Sequence, residues 1–113
     1  MRSKIVALSK SEEFKTLLKK KKISNNYVTI FYGHLKNKNI NKLNISFVAK
    51  KKIGNAVQRN KIKRRLRNIM NDAVKNISIK FDFSYLVICK ASMLHSNYTK
   101  IKETLLQEFK KIK

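Results

Sequence analysis

A regular repeat of apolar residues between Ile62 and Ile77 is the feature that most restricts the fold of this chain. Apolar side chains recur there every three or four residues, which places them in one stripe along a helix. The stripe consists of Ile62, Leu66, Ile69, Met70, Ala73 and Ile77. A helix with one apolar stripe must bury it against another layer, so this segment predicts a helix packed within a layered domain.

Segments with strand character lie on both sides of this helix. Residues 27–32 are rich in aromatic and β-branched side chains, as strands are. Residues 43–49 alternate apolar and polar positions with a period of two, which indicates a strand with one buried face. These two segments, joined by the polar residues 37–42, predict a hairpin with a long loop. Residues 83–88 are more apolar and predict a central strand.

Two further helices complete the pattern. Ser9 and Glu12 have the spacing of a capping box and predict a first helix from about Ser11 to Lys20. A last helix is predicted to begin after Ser96 or Asn97. Its apolar face consists of Ile101, Leu105, Phe109 and Ile112. The order helix, strand, strand, helix, strand, helix predicts one α+β domain in which helices pack on a single β-sheet.

The net charge limits the kind of partner. The 113 residues include 28 Lys and Arg against 6 Asp and Glu, a formal net charge of +22. Because so many positive charges repel one another, we expect a polyanionic partner. No segment has the apolar length of a membrane-spanning helix, and residues 1–10 lack the apolar stretch of a signal peptide. We therefore expect a cytoplasmic protein, a single domain over residues 1–113, that binds nucleic acid and no membrane.

Positive charge is concentrated in the first half of the central helix. Six cations lie within residues 59–67, and no acid follows until Asp72. Cations near a helix N-terminus oppose the helix dipole by about 0.3–1 kcal/mol each, so a bound anion best explains them. At about 100° per residue, Arg59 projects nearer the apolar side. The face opposite the stripe consists of Asn60, Lys61, Arg64, Arg67, Asn68, Asn71 and Lys75.

Arginine is used selectively in this chain. Four of the five arginines lie between Arg59 and Arg67. Concentrating the forked guanidinium in one segment favours bidentate phosphate binding over a merely solvated basic face. For the scattered lysines elsewhere, a solvated surface is the better interpretation. Gly54 precedes the helix and permits a tight turn or a close approach of the backbone to phosphate.

The segment from Lys51 to Arg64, KKIGNAVQRNKIKR, resembles the signature of the bacterial ribonuclease P protein component. The hallmark of that family is an Arg-Asn-Arg triplet that opens this helix. Here the triplet is Arg59-Asn60-Lys61, which keeps the charge and loses one bidentate fork. Residues 8–14 and 85–90 are similar to the opening and the late strand of the family.

The resemblance implies an αββαβα sandwich with a left-handed βαβ crossover between the strands at residues 43–49 and 83–90, of the type found in the second domain of a small-subunit ribosomal protein. It implies a subunit of ribonuclease P, the ribonucleoprotein endonuclease that removes the 5′ leader from precursor tRNA. The catalytic RNA, with Mg²⁺, is then expected to carry the hydrolysis. The protein is expected to bind one per RNA, without a metal ion, cofactor or small-molecule substrate of its own.

Two RNA surfaces follow from the resemblance. The surface toward the catalytic RNA consists of Lys51, Lys52, Asn55, Arg59, Asn60, Lys61, Lys63, Arg64, Arg67 and Asn68. The other is a cleft between the first helix and the sheet, which holds the single-stranded leader of precursor tRNA; single strands are usually bound by aromatic rings in a basic groove. The candidate rings are Phe14, Tyr27, Phe31 and Tyr32.

Which rings line the cleft stays open at this point. Strand alternation predicts that Tyr27 and Phe31 face one way and Tyr32 the other, without deciding which side is the cleft. Leu18 stands where relatives often have an aromatic residue, so the stacking platform of this chain is expected to be smaller.

Catalysis by the protein alone would require an acid–base pair or a carboxylate cluster for metal ions. Glu12 and Glu13 serve a helix start, and the remaining acids lie on predicted helix surfaces or at a strand start. His34 and His95 lie near predicted loops, so we expect no catalytic residue in the protein. Cys89 lies in an apolar run and is interpreted as a small buried residue.

Two other classes of protein share parts of this pattern. A ribosomal-type or chaperone RNA-binding protein would explain the charge equally well, and copurification with rRNA would distinguish it. A DNA-binding regulator is disfavoured, because no second helix closely precedes the basic helix as a helix-turn-helix requires.

Overall fold

The computed structural model describes residues 5–8, 11–36, 41–77 and 79–112. Its strands are β1 (Ile5–Val6), β2 (Lys21–Ser24), β3 (Val28–Gly33), β4 (Leu43–Val48) and β5 (Ser84–Cys89). Its helices are α1 (Ser11–Leu17), α2 (Ala56–Asn76) and α3 (Tyr98–Lys111), and the 3₁₀ turns Lys51–Ile53 and Ala91–Leu94 precede α2 and α3. The structure is therefore α+β, with one mixed sheet and three helices, as the sequence predicts.

The five strands form one sheet in the order β1-β4-β5-β3-β2. The strands β1, β4 and β5 run parallel, whereas β3 is antiparallel to both β5 and β2. The expectation of a central strand at residues 83–88 is confirmed, because β5 buries Tyr85, Leu86 and Val87 and so presents apolar side chains to both faces of the sheet.

The predicted hairpin between β3 and β4 is wrong. The central strand β5 lies between them, and β3 forms its hairpin with β2 instead. No apolar pattern in the sequence marks β2, which consists of Lys21, Lys22, Ile23 and Ser24. Its turn is closed by the Asn25 side chain, whose Oδ1 accepts hydrogen bonds from the backbone nitrogens of Tyr27 (2.8 Å) and Val28 (3.0 Å). Local turn chemistry at Asn25 therefore decides which strand pairs with β3.

The first helix is shorter than predicted. It ends at Leu17, and the chain turns through residues 18–20 into β2, because Lys21 pairs with Tyr32 and draws the following residues into the sheet. Ser9, the predicted cap, lies outside the described residues, as do four residues of the predicted turn at 37–42. Of the two predicted caps for α3, Asn97 is the one used, and its side chain accepts a hydrogen bond from Thr99 N at 2.8 Å.

The main core lies between one face of the sheet and the helices α2 and α3. The α2 residues predicted for the apolar stripe are buried, except for Ile77, which caps the helix and is half-buried. The predicted apolar face of α3 is also buried, and its Phe109 ring packs 5.3 Å from the ring of Tyr85. Each fully buried Leu, Ile or Phe stabilises the fold by about 1.5–3 kcal/mol, so this core fixes α2 on the sheet.

Among the described helices, α1 is the one that packs on the opposite face of the sheet. Leu8, Leu17 and Leu86 form a small buried cluster there, which Phe14 and Phe31 border. Because α1 is only two turns long, part of this face stays open beside it.

The helix α2 connects the adjacent parallel strands β4 and β5. This is the crossover that the resemblance implies to be left-handed. Among the residues described, no helix is long and apolar enough to span a bilayer.

Candidate nucleic-acid interface

A reciprocal capping box begins α2. Asn55 Oδ1 accepts a hydrogen bond from Gln58 N at 2.9 Å, and Gln58 Oε1 accepts one from Asn55 N at 3.0 Å. A Cβ at Gly54 would collide with Gln58 Oε1. Gly54 therefore makes room for the folded-back glutamine, whereas sequence assigned it to a turn or a phosphate contact. Asn55, a predicted RNA contact, uses its side-chain oxygen to cap the helix.

The outer face of α2 is exposed, as its helical projection predicts. The side chains on this face are exposed, except for Asn71, which is half-buried. We define the α2 crest as the exposed residues Val57, Asn60, Lys61, Arg64, Arg67 and Asn68. Lys51 and Lys52 are exposed in the 3₁₀ turn just before the helix. Val57, which no sequence argument singled out, is 78% exposed, so the crest offers an apolar contact among its cations.

Arg59 is placed differently from the arginines of the crest. It is half-buried, and its Nε is shielded from solvent without a hydrogen-bond partner among the described residues. The helical projection toward the apolar side is therefore correct. Buried donors are usually hydrogen-bonded, so Arg59 Nε is a donor left without a protein acceptor.

The carboxylates that form ion pairs in the described chain lie away from the start of α2. Asp72 Oδ2 is 2.8 Å from Lys102 Nζ on α3, and Glu108 pairs with Lys111 at 3.8 Å within α3. The hydrogen bond from Lys102 lowers the pKa of Asp72, and the same bond raises the pKa of Lys102. The cations of residues 59–67 thus have no carboxylate partner among the described residues.

Two grooves run along the flanks of α2. The groove toward β4, which we call the β4 groove, has a volume of about 380 Å³ and contains Lys63 and Arg67 of α2 and Phe47 of β4. The groove toward the second 3₁₀ turn has a volume of about 260 Å³ and contains Arg65 and His95. Arg65 lies outside the face that the helical projection assigns to phosphate, yet its half-buried side chain borders this groove. The crest is therefore a ridge with a cationic groove on each side.

The face of the sheet beside α1 carries two of the four predicted leader-binding rings. Phe14 of α1 and Phe31 of β3 are both half-buried against the cluster around Leu86. Lys22 Nζ lies 6.0 Å from the centre of the Phe31 ring. Leu18, at the end of α1, is 48% exposed. The result is an open apolar floor with cations at its side, which we call the α1 cleft.

The other two rings lie on the opposite side of the sheet. Tyr32 packs on the main core, with its ring 5.7 Å from Phe83 and 6.5 Å from Tyr85. Tyr27 also packs against the main core, so the expectation that Tyr27 and Phe31 share a face is wrong. Alternation holds only within an extended strand, and Tyr27 lies in the turn before β3.

A cavity of about 350 Å³ lies between the end of β5 and the start of the basic segment. Its lining includes Lys52 of the 3₁₀ turn, Ile88 of β5 and Lys90. Lys90 Nζ donates hydrogen bonds to Ser24 Oγ (2.8 Å) and to the backbone oxygen of Asn25 (2.5 Å). Sequence reasoning missed Lys22 and Lys90 as cations of this region. Lys22 pairs with Phe31 in a strand that no sequence pattern indicates.

Two side chains that could carry chemistry, His34 and Cys89, have a structural partner or are buried. His34 Nδ1 lies 3.1 Å from the backbone oxygen of Asp82. The prediction that Cys89 is a small buried residue is confirmed, and burial raises the pKa of its thiol to about 12. In the parts of the chain that the structure describes, no three His, Cys, Asp or Glu side chains cluster as metal ligands would.

Together, a mixed sheet, a capped helix with a cationic crest and an open aromatic cleft define a class of small basic α+β proteins with two separate surfaces suited to a polyanion. Residues 3–113 match the Ribonuclease P family, and the chain belongs to that family of protein components.

Curated relatives span nearly the same length. The ribonuclease P protein component of Mycoplasma mycoides is 32% identical over 94% of this chain and 94% of its own. That of Carboxydothermus hydrogenoformans is 33% identical over 94% of this chain and 90% of its own. Both relatives thus match nearly the full length of this chain.

Solved structures share the fold. The RNase P protein from Thermotoga maritima superposes with a TM-score of 0.80 at 23% identity, covering 96% of this chain and 98% of its own. The RNase P protein from Staphylococcus aureus gives 0.77 at 24% identity, covering 94% and 93%. The arrangement of one mixed sheet and three helices is therefore the fold of this family.

Proposed function

We propose that this chain is the protein subunit of a ribonuclease P holoenzyme, a single RNA-binding domain that acts with a catalytic RNA. The observation that carries the proposal is the cationic first half of α2 in a chain of the Ribonuclease P family. Six cations lie within residues 59–67, three of them on the α2 crest, and none has a carboxylate partner among the described residues. Phosphates at the crest would neutralise charges that otherwise oppose the helix dipole.

The catalytic RNA is assigned to the α2 crest together with Lys51 and Lys52. Arg59 is included for its charge, because its half-buried side chain lies at the start of α2; its Nε is shielded from solvent, so no RNA contact is assigned to that atom. In this proposal Asn55 acts mainly by capping α2, and so holds the first turn of the crest in position.

The 5′ leader of precursor tRNA is assigned to the α1 cleft. Phe14 and Phe31 supply the stacking faces and Lys22 and Lys90 the nearby positive charge, the combination with which proteins bind single strands. Tyr27 and Tyr32 pack on the far side of the sheet, so we assign them to the core.

Hydrolysis itself is assigned to the RNA, with Mg²⁺ held by that RNA. The protein would neutralise phosphates around the RNA active site and hold the leader, so that cleavage proceeds at lower Mg²⁺ and higher salt than with RNA alone. One protein per RNA suffices for these roles.

Reconstitution tests the proposal. Precursor tRNA is incubated with a bacterial ribonuclease P RNA, with this protein, or with both, over a series of Mg²⁺ and salt concentrations. Protein with RNA should cleave at the mature 5′ end at Mg²⁺ concentrations where RNA alone is inactive, and the protein alone should not cleave. Robust cleavage by protein freed of RNA, or no effect on the RNA and copurification with rRNA instead, would overturn it.

A further inference from the structure

The β4 groove has the chemistry of a nucleotide site. Lys63, Arg67 and Asn71 line it from α2 at intervals of four residues, and so lie on one side of the helix over about 12 Å. Lys63 and Asn71 are half-buried. Its lining contains no carboxylate, so it presents the two cations Lys63 and Arg67 to whatever enters.

The opposite wall of the groove is formed by the sheet. Phe47 and Ile45 line it from β4, and Ile5 and Ala7 line it from β1 and the residues that follow. Phe47 is half-buried and therefore keeps part of its ring surface accessible. The groove thus combines a positively charged wall with an apolar, partly aromatic wall, and its volume of about 380 Å³ falls in the range of small-ligand pockets, ~300–1,000 Å³.

We propose that the β4 groove binds one unpaired nucleotide of the catalytic RNA, with its phosphate against Lys63 and Arg67 and its base against Phe47. The inference rests on the proposed function, because it takes the RNA that lies on the α2 crest as the source of the nucleotide. Arg67 belongs to both the crest and the groove, so a strand crossing the crest reaches the groove without a gap. Proteins commonly recognise RNA through unpaired bases that stack on aromatic rings or on guanidinium planes.

Filling the groove tests this proposal without removing a charge. Ala7 is exposed and lines the groove, so Ala7→Trp occupies it while leaving the cations and the core intact. Thr99→Trp places the same ring at an exposed position in the first turn of α3 and serves as the matched control. Affinity for a bacterial ribonuclease P RNA is measured by filter binding, and each RNA nucleotide is probed chemically with and without protein.

Ala7→Trp should weaken RNA binding by about tenfold, the size of one lost base–aromatic contact, and should remove protection from one nucleotide. Thr99→Trp should alter neither the affinity for the RNA nor the protection of its nucleotides. If Ala7→Trp lowers the melting temperature, Lys63→Gln replaces it, with Lys110→Gln on α3 as the charge-matched control. Of these two variants, only Lys63→Gln should then remove the chemical protection of that nucleotide.

Two failures are distinguishable. In the first case, both groove variants bind the RNA with native affinity and unchanged protection, whereas Arg64→Ala on the crest weakens binding. That result would refute the nucleotide site and leave the proposed function standing. If Arg64→Ala also binds the RNA with native affinity, the assignment of the crest to the catalytic RNA fails as well.

Discussion

Phe31 and Tyr32 are adjacent in β3 and lie on opposite faces of the sheet. Phe31 pairs with Leu86 on the side covered by α1, whereas Tyr32 pairs with Tyr85 on the side of the main core. The alternation of side chains along one strand thus separates a ring that borders an open cleft from a ring that stabilises the fold.

Replacing Phe31 should therefore affect leader recognition. Phe31→Leu keeps an apolar side chain and removes the aromatic face. Because one base–aromatic stack is worth roughly 1–3 kcal/mol, the preference of the holoenzyme for precursor over mature tRNA should fall about tenfold. Tyr32→Leu is the control: it should lower the melting temperature and weaken both ligands together. Equilibrium binding of the two tRNAs measures the effect, and an unchanged ratio with Phe31→Leu would exclude this ring from the cleft.

The α2 crest should bind RNA mainly by neutralising phosphates. Affinity for the catalytic RNA should fall about a thousandfold or more between 50 and 200 mM salt if six or more phosphates are engaged, with duplex DNA as the guide. Arg64→Gln should reduce the slope of log affinity against log salt by roughly one. Lys110→Gln, at an exposed position of α3, should leave the slope nearly unchanged. Equal slopes for both variants would indicate that Arg64 is only a solvated charge.

Gly54 and Gln58 should be coupled in stability. Gly54→Ala would push Gln58 Oε1 out of the capping box and should destabilise the protein by about 1 kcal/mol, the usual effect of a lost cap. In a Gln58→Ala background the same substitution should have a much smaller effect, because the collision is already gone. Urea denaturation of the four proteins measures the coupling. Additive effects would show that Gly54 serves some other purpose.

The ion pair between Asp72 and Lys102 should make stability depend on pH. The pKa of Asp72 is lowered in the folded state by the hydrogen bond from Lys102, so its contribution is present above the unfolded pKa and is lost as the pH falls through the folded value. Asp72→Asn should therefore be less stable than the native chain near neutral pH and equally stable at about pH 2. Denaturation midpoints across this range test the expectation, and a difference that persists in acid would contradict it.

Cys89 should be unreactive while the protein is folded. Burial raises the pKa of its thiol to about 12, and the thiolate is the reactive form. Alkylation by iodoacetamide at about pH 8 should be far slower in buffer than in urea. A fast reaction in buffer, without loss of the circular dichroism of the fold, would show that the thiol is accessible.

The amino-acid pattern alone identified several features that the structure confirms. The α2 stripe, the exposed crest, the apolar face of α3 and the central position of β5 all follow from local periodicity, because a residue that recurs with the period of its element must lie on one face of it. The basic segment from Lys51 to Arg67 was equally visible, since composition and spacing need no partner strand to be recognised.

Tertiary structure alone decided which strands pair and which rings are free. β2 has two lysines among its four residues and forms a strand only because β3 offers it hydrogen bonds. β4 is separated from β3 because β5 needs burial on both faces. Tyr27 lies on the core side because it belongs to the Asn25 turn, where the alternation of side chains along β3 does not apply. The β4 groove and the Lys90 contacts join residues distant in sequence, so no local pattern contains them. Periodicity fixes the face of an element on which a residue lies, whereas long-range packing determines what that face meets.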